Sequence, residues 1–88
     1  MELSAGDIVY SKAGRDKDKF FIVLEVLDGE YVYLADGGLH KVEKPKKKKM
    51  KHLKKTIIKA ELISRKLANN EKVTNTDLKR ILAEIENE

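Results

Sequence analysis

The dipeptide Asp28-Gly29 stands between two runs, FFIVLEVL at 20–27 and YVYLA at 31–35, that are rich in β-branched and aromatic side chains. Such runs favour a pleated, half-buried backbone, and Asp-Gly readily supplies the positive φ angles of a two-residue hairpin turn. The signal repeats at Asp36-Gly37-Gly38. A further run, DIVYSK at 7–12, precedes the polar loop AGRDKDK at 13–19, and LHKVE at 39–43 is a weaker strand candidate. Four or five short antiparallel strands within about 40 residues predict a small closed or nearly closed β structure. Along 20–27, Phe20, Ile22, Leu24 and Val26 form one apolar face, while Phe21, Val23 and Leu27 flank Glu25 on the other.

Pro45 ends this region, because it donates no ladder hydrogen bond and disfavours helix at Lys44. Beyond it the apolar period changes. Ile57, Ile58, Leu62, Ile63 and Leu67 follow helical spacing over 56–68, and Leu78, Ile81, Leu82 and Ile85 follow it more cleanly. Thr74, Asn75 and Thr76 are candidate caps for the last helix, with Asp77 favourable in its first turn. The expected division is a β module over 1–44, a lysine-rich connector over 45–55 and a two-helix extension over 56–88. Met50, Leu53 and Ile57, at near-helical spacing, are expected to pack the connector against the module or to begin the first helix early.

Charge is distributed as a band. Residues 1–40 carry four basic and eight acidic side chains, 41–55 carry nine lysines and only Glu43, and 71–88 are again acidic. The net +4 of the 88-residue chain therefore conceals a net +8 over fifteen residues. A field so concentrated attracts a polyanion, whereas the alternative is a solvated run that repels itself into an extended connector. Tyr31 and Tyr33 share one side of their strand, with Tyr10 a possible neighbour; they are either core residues or a surface on which bases stack.

Other chemistry finds little support. The chain has no cysteine, which excludes disulfides and thiol chemistry and fits a reducing compartment. Residues 1–7, MELSAGD, do not read as a signal peptide, and FFIVL at 20–24 is too short to span a bilayer. His40 and His52 match no metal-ligand spacing, and DKD at 16–18 lacks the glycine and distal glutamate of a calcium loop. No nucleophile with a base and no phosphate-cradling glycine loop is visible. The expectation is a non-catalytic, cytoplasmic protein with no cofactor, no metal, no membrane partner and no small-molecule substrate.

The run GDIVYSKAGRDKDKFFIVLEVLDGEYVYLADG at 6–37 resembles a KOW motif, and continued through LHKVEKPKKKKMKHLKK it is similar to large-subunit KOW ribosomal proteins of archaea and eukaryotes. It is closer still to small bacterial KOW-domain RNA-binding proteins. The resemblance covers about two thirds of the chain. It implies a mainly β fold with C-terminal α structure, in which a small SH3-like barrel is followed by the basic connector and two short helices. It also implies binding of RNA, ribosomal RNA or ribosomal particles above all, with ribosomal or translation-factor proteins as further partners. Carried over by position, the RNA-binding residues are Gly14, Arg15, Lys17 and Lys19 in the first loop. After the module they are Lys46, Lys47, Lys48, Lys49, Lys51 and His52, with Lys54 and Lys55 completing the lysine band. Such proteins commonly have glycine where this chain has Asp18. The alternative function is a protein-interaction module of the transcription or translation machinery.

Overall fold

Adjacent residues of the first strands enter different cores. In the computed structural model, which describes residues 2–86, the first strand, β1 (Asp7–Ser11), pairs antiparallel with β2 (Phe20–Val26). Ile8 and Ile22 face one way, while Val9 and Phe21 face the other. Strand β3 (Tyr31–Ala35) follows, then β4 (Lys46–Lys49), one turn of 3₁₀ helix (Met50–His52) and β5 (Leu53–Lys59). The five strands form one antiparallel sheet in the order β4-β3-β2-β1-β5. Two helices, α1 (Glu61–Ala68) and α2 (Asn75–Glu86), complete a mainly β protein with C-terminal α structure.

One core holds Leu3, Val9, Phe21, Val23, Val32, Leu34, Met50 and Leu53. The second lies on the opposite sheet face, where Ile8, Ile22 and Ala35 meet Ala60, Ile63, Val73, Leu78 and Leu82. The apolar stripes of both helices thus cover the sheet. Two glycines allow this close approach. Gly6 has φ +94°, and a Cβ there would lie 2.7 Å from Ser64 Cβ of α1. Gly37 has φ +82°, and a Cβ there would fall 2.4 Å from the Asn75 carbonyl oxygen at the start of α2. No helix among the described residues is long and apolar enough to cross a membrane.

The caps of α2 match expectation. Thr74 Oγ1 accepts the Asp77 N–H and the Asp77 carboxylate accepts the Thr74 N–H, each at 3.1 Å, a reciprocal box at the helix start. Lys66 of α1 donates to the same carboxylate at 2.9 Å, joining the two helices.

Other expectations are corrected. The Asp28-Gly29 connection is not a two-residue turn: Gly29 is not among the positive-φ residues, and four residues separate β2 from β3. The Asp28 carboxylate closes it by accepting the Glu30 and Tyr31 N–H groups at 2.7 and 2.8 Å. Residues 39–43 form no strand. Asp36 Oδ1 instead accepts the Gly38 and His40 N–H groups, each at 2.9 Å, and turns the chain there.

The segment expected as a connector is built into the sheet. Lys46–Lys49 pairs with β3 residue by residue, and cross-strand partners override lysine's weak strand preference. Residues 56–59, expected to start a helix, belong to β5, where the β-branched run Thr56-Ile57-Ile58 lies against β1. Met50 and Leu53 are core residues as expected, but Ile57 is fully exposed.

Candidate nucleic-acid interface

Placing four consecutive lysines on a strand sorts them by the two-residue period. Lys46 and Lys48 lie opposite Leu34 and Val32, whose side chains enter the first core. Lys47 and Lys49 lie opposite Tyr33 and Tyr31. The two pairs therefore face different surroundings and have different work.

The inward pair holds the loop between β1 and β2. Lys46 Nζ donates to the Asp16 carboxylate, and Lys48 Nζ donates to the Ala13 carbonyl at 3.3 Å. His40 Nε2 lies 3.3 Å from the other Asp16 oxygen. The Asp16 side chain is only 4% exposed, so the loop hangs on a buried carboxylate shared by Lys46 and His40. Burial alone pushes this carboxyl up, but the hydrogen bonds from Lys46 and His40, with their charge, outweigh it and hold the carboxyl below its ordinary value.

The outward pair makes no ion pair among the described residues. Lys47 Nζ sits 4.7 Å and Lys49 Nζ 5.8 Å from the centre of the Tyr31 ring. On β5, Lys54 Nζ lies 6.0 Å over Tyr10, which packs edge-on against Phe20 at 5.9 Å. Lys51 is exposed on the 3₁₀ turn, where the His52 carbonyl accepts the Lys12 N–H at 2.8 Å. Among the described residues, Lys47, Lys49, Lys51 and Lys54 have no carboxylate within ion-pair distance. Lys55 differs: it shares the buried Asp7 carboxylate with Lys59, each at 3.7 Å.

The loop presents Arg15, Lys17 and Lys19 to solvent, with Gly14 at φ +80°. Its contacts with Lys46 and Lys48 bring it beside β4. Of the sequence-derived residues, Lys46 and Lys48 hold this loop, Lys55 is partly neutralised, and His52 is half-buried. Sequence reasoning missed Asp16 and His40 as the loop's anchor. The signal available was an aspartate amid basic residues, which nothing local distinguishes from its neighbour Asp18.

Asp18 adopts φ +70°, the left-handed region in which a Cβ is strained. This is the position at which the resemblance leads one to expect glycine. Its N–H donates to the Ser11 carbonyl at 2.8 Å, so the loop's closure depends on that conformation. Asp18→Gly relieves left-handed strain of about 1–2 kcal/mol and is expected to raise stability by about 0.5–1 kcal/mol, the gain being trimmed because aspartate tolerates this region better than most residues and glycine adds unfolded-state freedom. Thermal melts check this, with an expected rise of roughly 2–8 °C for a domain of this size; a lower melting temperature would refute it.

Neither family models nor curated proteins gave a match to this chain.

Proposed function

We propose that the chain is a non-catalytic RNA-binding protein of KOW type, associated with ribosomal RNA or ribosomal particles, which grips phosphates through β4, the 3₁₀ turn and β5. One observation carries the reading: Lys47, Lys49, Lys51 and Lys54 project from regular structure without ion-pair partners among the described residues, beside a basic loop held in place by Asp16. A flexible tail would have to lose its freedom on binding, whereas these ammonium groups are largely pre-positioned. Lysines make point-charge contacts rather than forked base readout, so the surface supplies affinity and positioning more than sequence preference.

The finer fold reading, an SH3-like barrel, draws support from closure contacts. β4 and β5 occupy opposite ends of the strand order yet are joined by a single 3₁₀ turn. Lys12 of the first hairpin bonds the His52 carbonyl, and Lys46 reaches Asp16. Contacts of this kind accompany a sheet that curls on itself.

Binding of a structured RNA, measured over graded salt, tests the function. Four to five neutralised phosphates predict a slope of log K against log salt of about −3 to −4. Absence of binding in dilute buffer would overturn the reading.

A protein-docking function has one specific observation in its favour. Ile57 is fully exposed and Ile58 is 40% exposed, next to Lys55 and Lys59. A partner with an acidic, apolar surface fits that composition. Association that survives nuclease and is lost on Ile57→Ser would favour this reading.

A further inference from the structure

Tyr31 begins β3 at the end of the hairpin, and its N–H is fixed by Asp28 at 2.8 Å. Its ring is half-buried, and two ammonium groups, on Lys47 and Lys49, stand over it. The pleat explains the bracket, since Lys49 is directly opposite Tyr31 and Lys47 follows two residues away on the same face. Neither lysine has a carboxylate partner among the described residues, so each is held there by weak attraction to the ring.

An ammonium over a partly exposed ring contributes less than a nucleobase stacked on the same ring. A base arriving with its phosphates can therefore displace the lysines, and the displaced ammonium groups gain phosphate partners and release counterions. Two residues along a strand advance about 6.7 Å, a step comparable to successive phosphates on one nucleic-acid backbone. Glu25 lies opposite Tyr33, and Asp28 closes the hairpin beyond Tyr31. Phosphates thus approach from the β4 side, where the charge is positive. An uninterrupted duplex keeps its bases stacked inside and cannot offer one to the ring.

We infer that Tyr31 is a stacking platform for one unpaired nucleotide whose flanking phosphates are met by Lys47 and Lys49, so that this surface prefers RNA with a bulged or looped-out base over continuous duplex. The inference rests on the RNA-binding reading and adds the class of RNA and the residue that selects it.

Two RNA hairpins matched in phosphate number test it. One is an uninterrupted duplex stem; the other carries a single unpaired 2-aminopurine. Affinity is measured by anisotropy at low salt, and stacking by 2-aminopurine emission. The wild-type protein is expected to bind the bulged hairpin about tenfold tighter and to quench its emission. Tyr31→Leu should bring the two affinities within about twofold of each other, and Tyr31→Phe should keep the preference. Equal wild-type affinities without quenching overturn the stacking platform and leave phosphate binding standing. A preference that persists in Tyr31→Leu also overturns it. Failure of the wild type to bind either hairpin overturns the RNA-binding reading, and the platform with it. The quenching result is read on the wild-type protein and does not depend on how a variant folds.

Discussion

Replacing Lys47, Lys49, Lys51 and Lys54 together with glutamine is expected to weaken RNA binding by at least about a hundredfold at low salt, and to flatten the salt slope by about 3 to 4. Each lysine that meets a phosphate releases condensed counterion, so each removal lowers the slope by somewhat under one. Stability should hardly change, because these side chains make no ion pair among the described residues and their contacts with Tyr31 and Tyr10 are weak ones. The informative control is the neighbour, Lys46→Gln. It removes the same charge from the same strand, but from a lysine already committed to Asp16. It should leave the slope unchanged and lower the melting temperature. Binding isotherms across salt, with thermal melts of each variant, separate the two effects. Equal slope changes for Lys46→Gln and Lys47→Gln would show that the strand's two faces do not divide the work.

The alternation of buried and exposed side chains explains what a reader of the sequence can recover. FFIVLEV shows apolar residues on both faces, and Phe21 and Val23 enter the first core while Ile22 lies beneath α1 and α2. Thr74 and Asp77 announce the start of α2 through local hydrogen bonds, which depend on only four residues. The lysine run was legible as an interface candidate but not as a strand. Its conformation comes from β3, whose Tyr31 to Leu34 provide the ladder, and pairing between distant segments leaves no mark in KKKK itself. β5 was hidden for a similar reason: Ile57, Ile58 and Leu62 imitate a helical stripe, yet Ile57 is fully exposed and the helix begins only at Glu61. Asp16 was the least legible. Its partners, His40 and Lys46, lie 24 and 30 residues away, and only folding brings them together.

Asp16→Ala is accordingly expected to be the costliest single change on this surface, at about 1–3 kcal/mol. Removing the carboxylate strands the Lys46 ammonium and the His40 ring beside the first core. Lys46 is one-third exposed and can turn toward water, which keeps the loss below that of a fully buried pair. For an 88-residue chain, a loss of this size lowers the melting temperature by roughly 4–20 °C. The effect carries a pH signature with a definite sign. Asp16 has its carboxyl held below the ordinary value of 3.8, so its ionised form is the one that stabilises the fold. That contribution is complete above the unfolded value, at pH 5 or higher in practice, and fades as pH falls through the lower folded value. The gap in stability between wild type and Asp16→Ala should therefore be widest near neutrality and close progressively below about pH 4. RNA binding should also fall in Asp16→Ala under conditions where it remains folded, because Arg15 and Lys17 lose their fixed position beside β4. A gap that widens in acid would mean that Lys46 and His40 do not act on the fold through the ionised carboxylate. A variant as stable as wild type at neutral pH would show that the loop is held by its backbone hydrogen bonds alone.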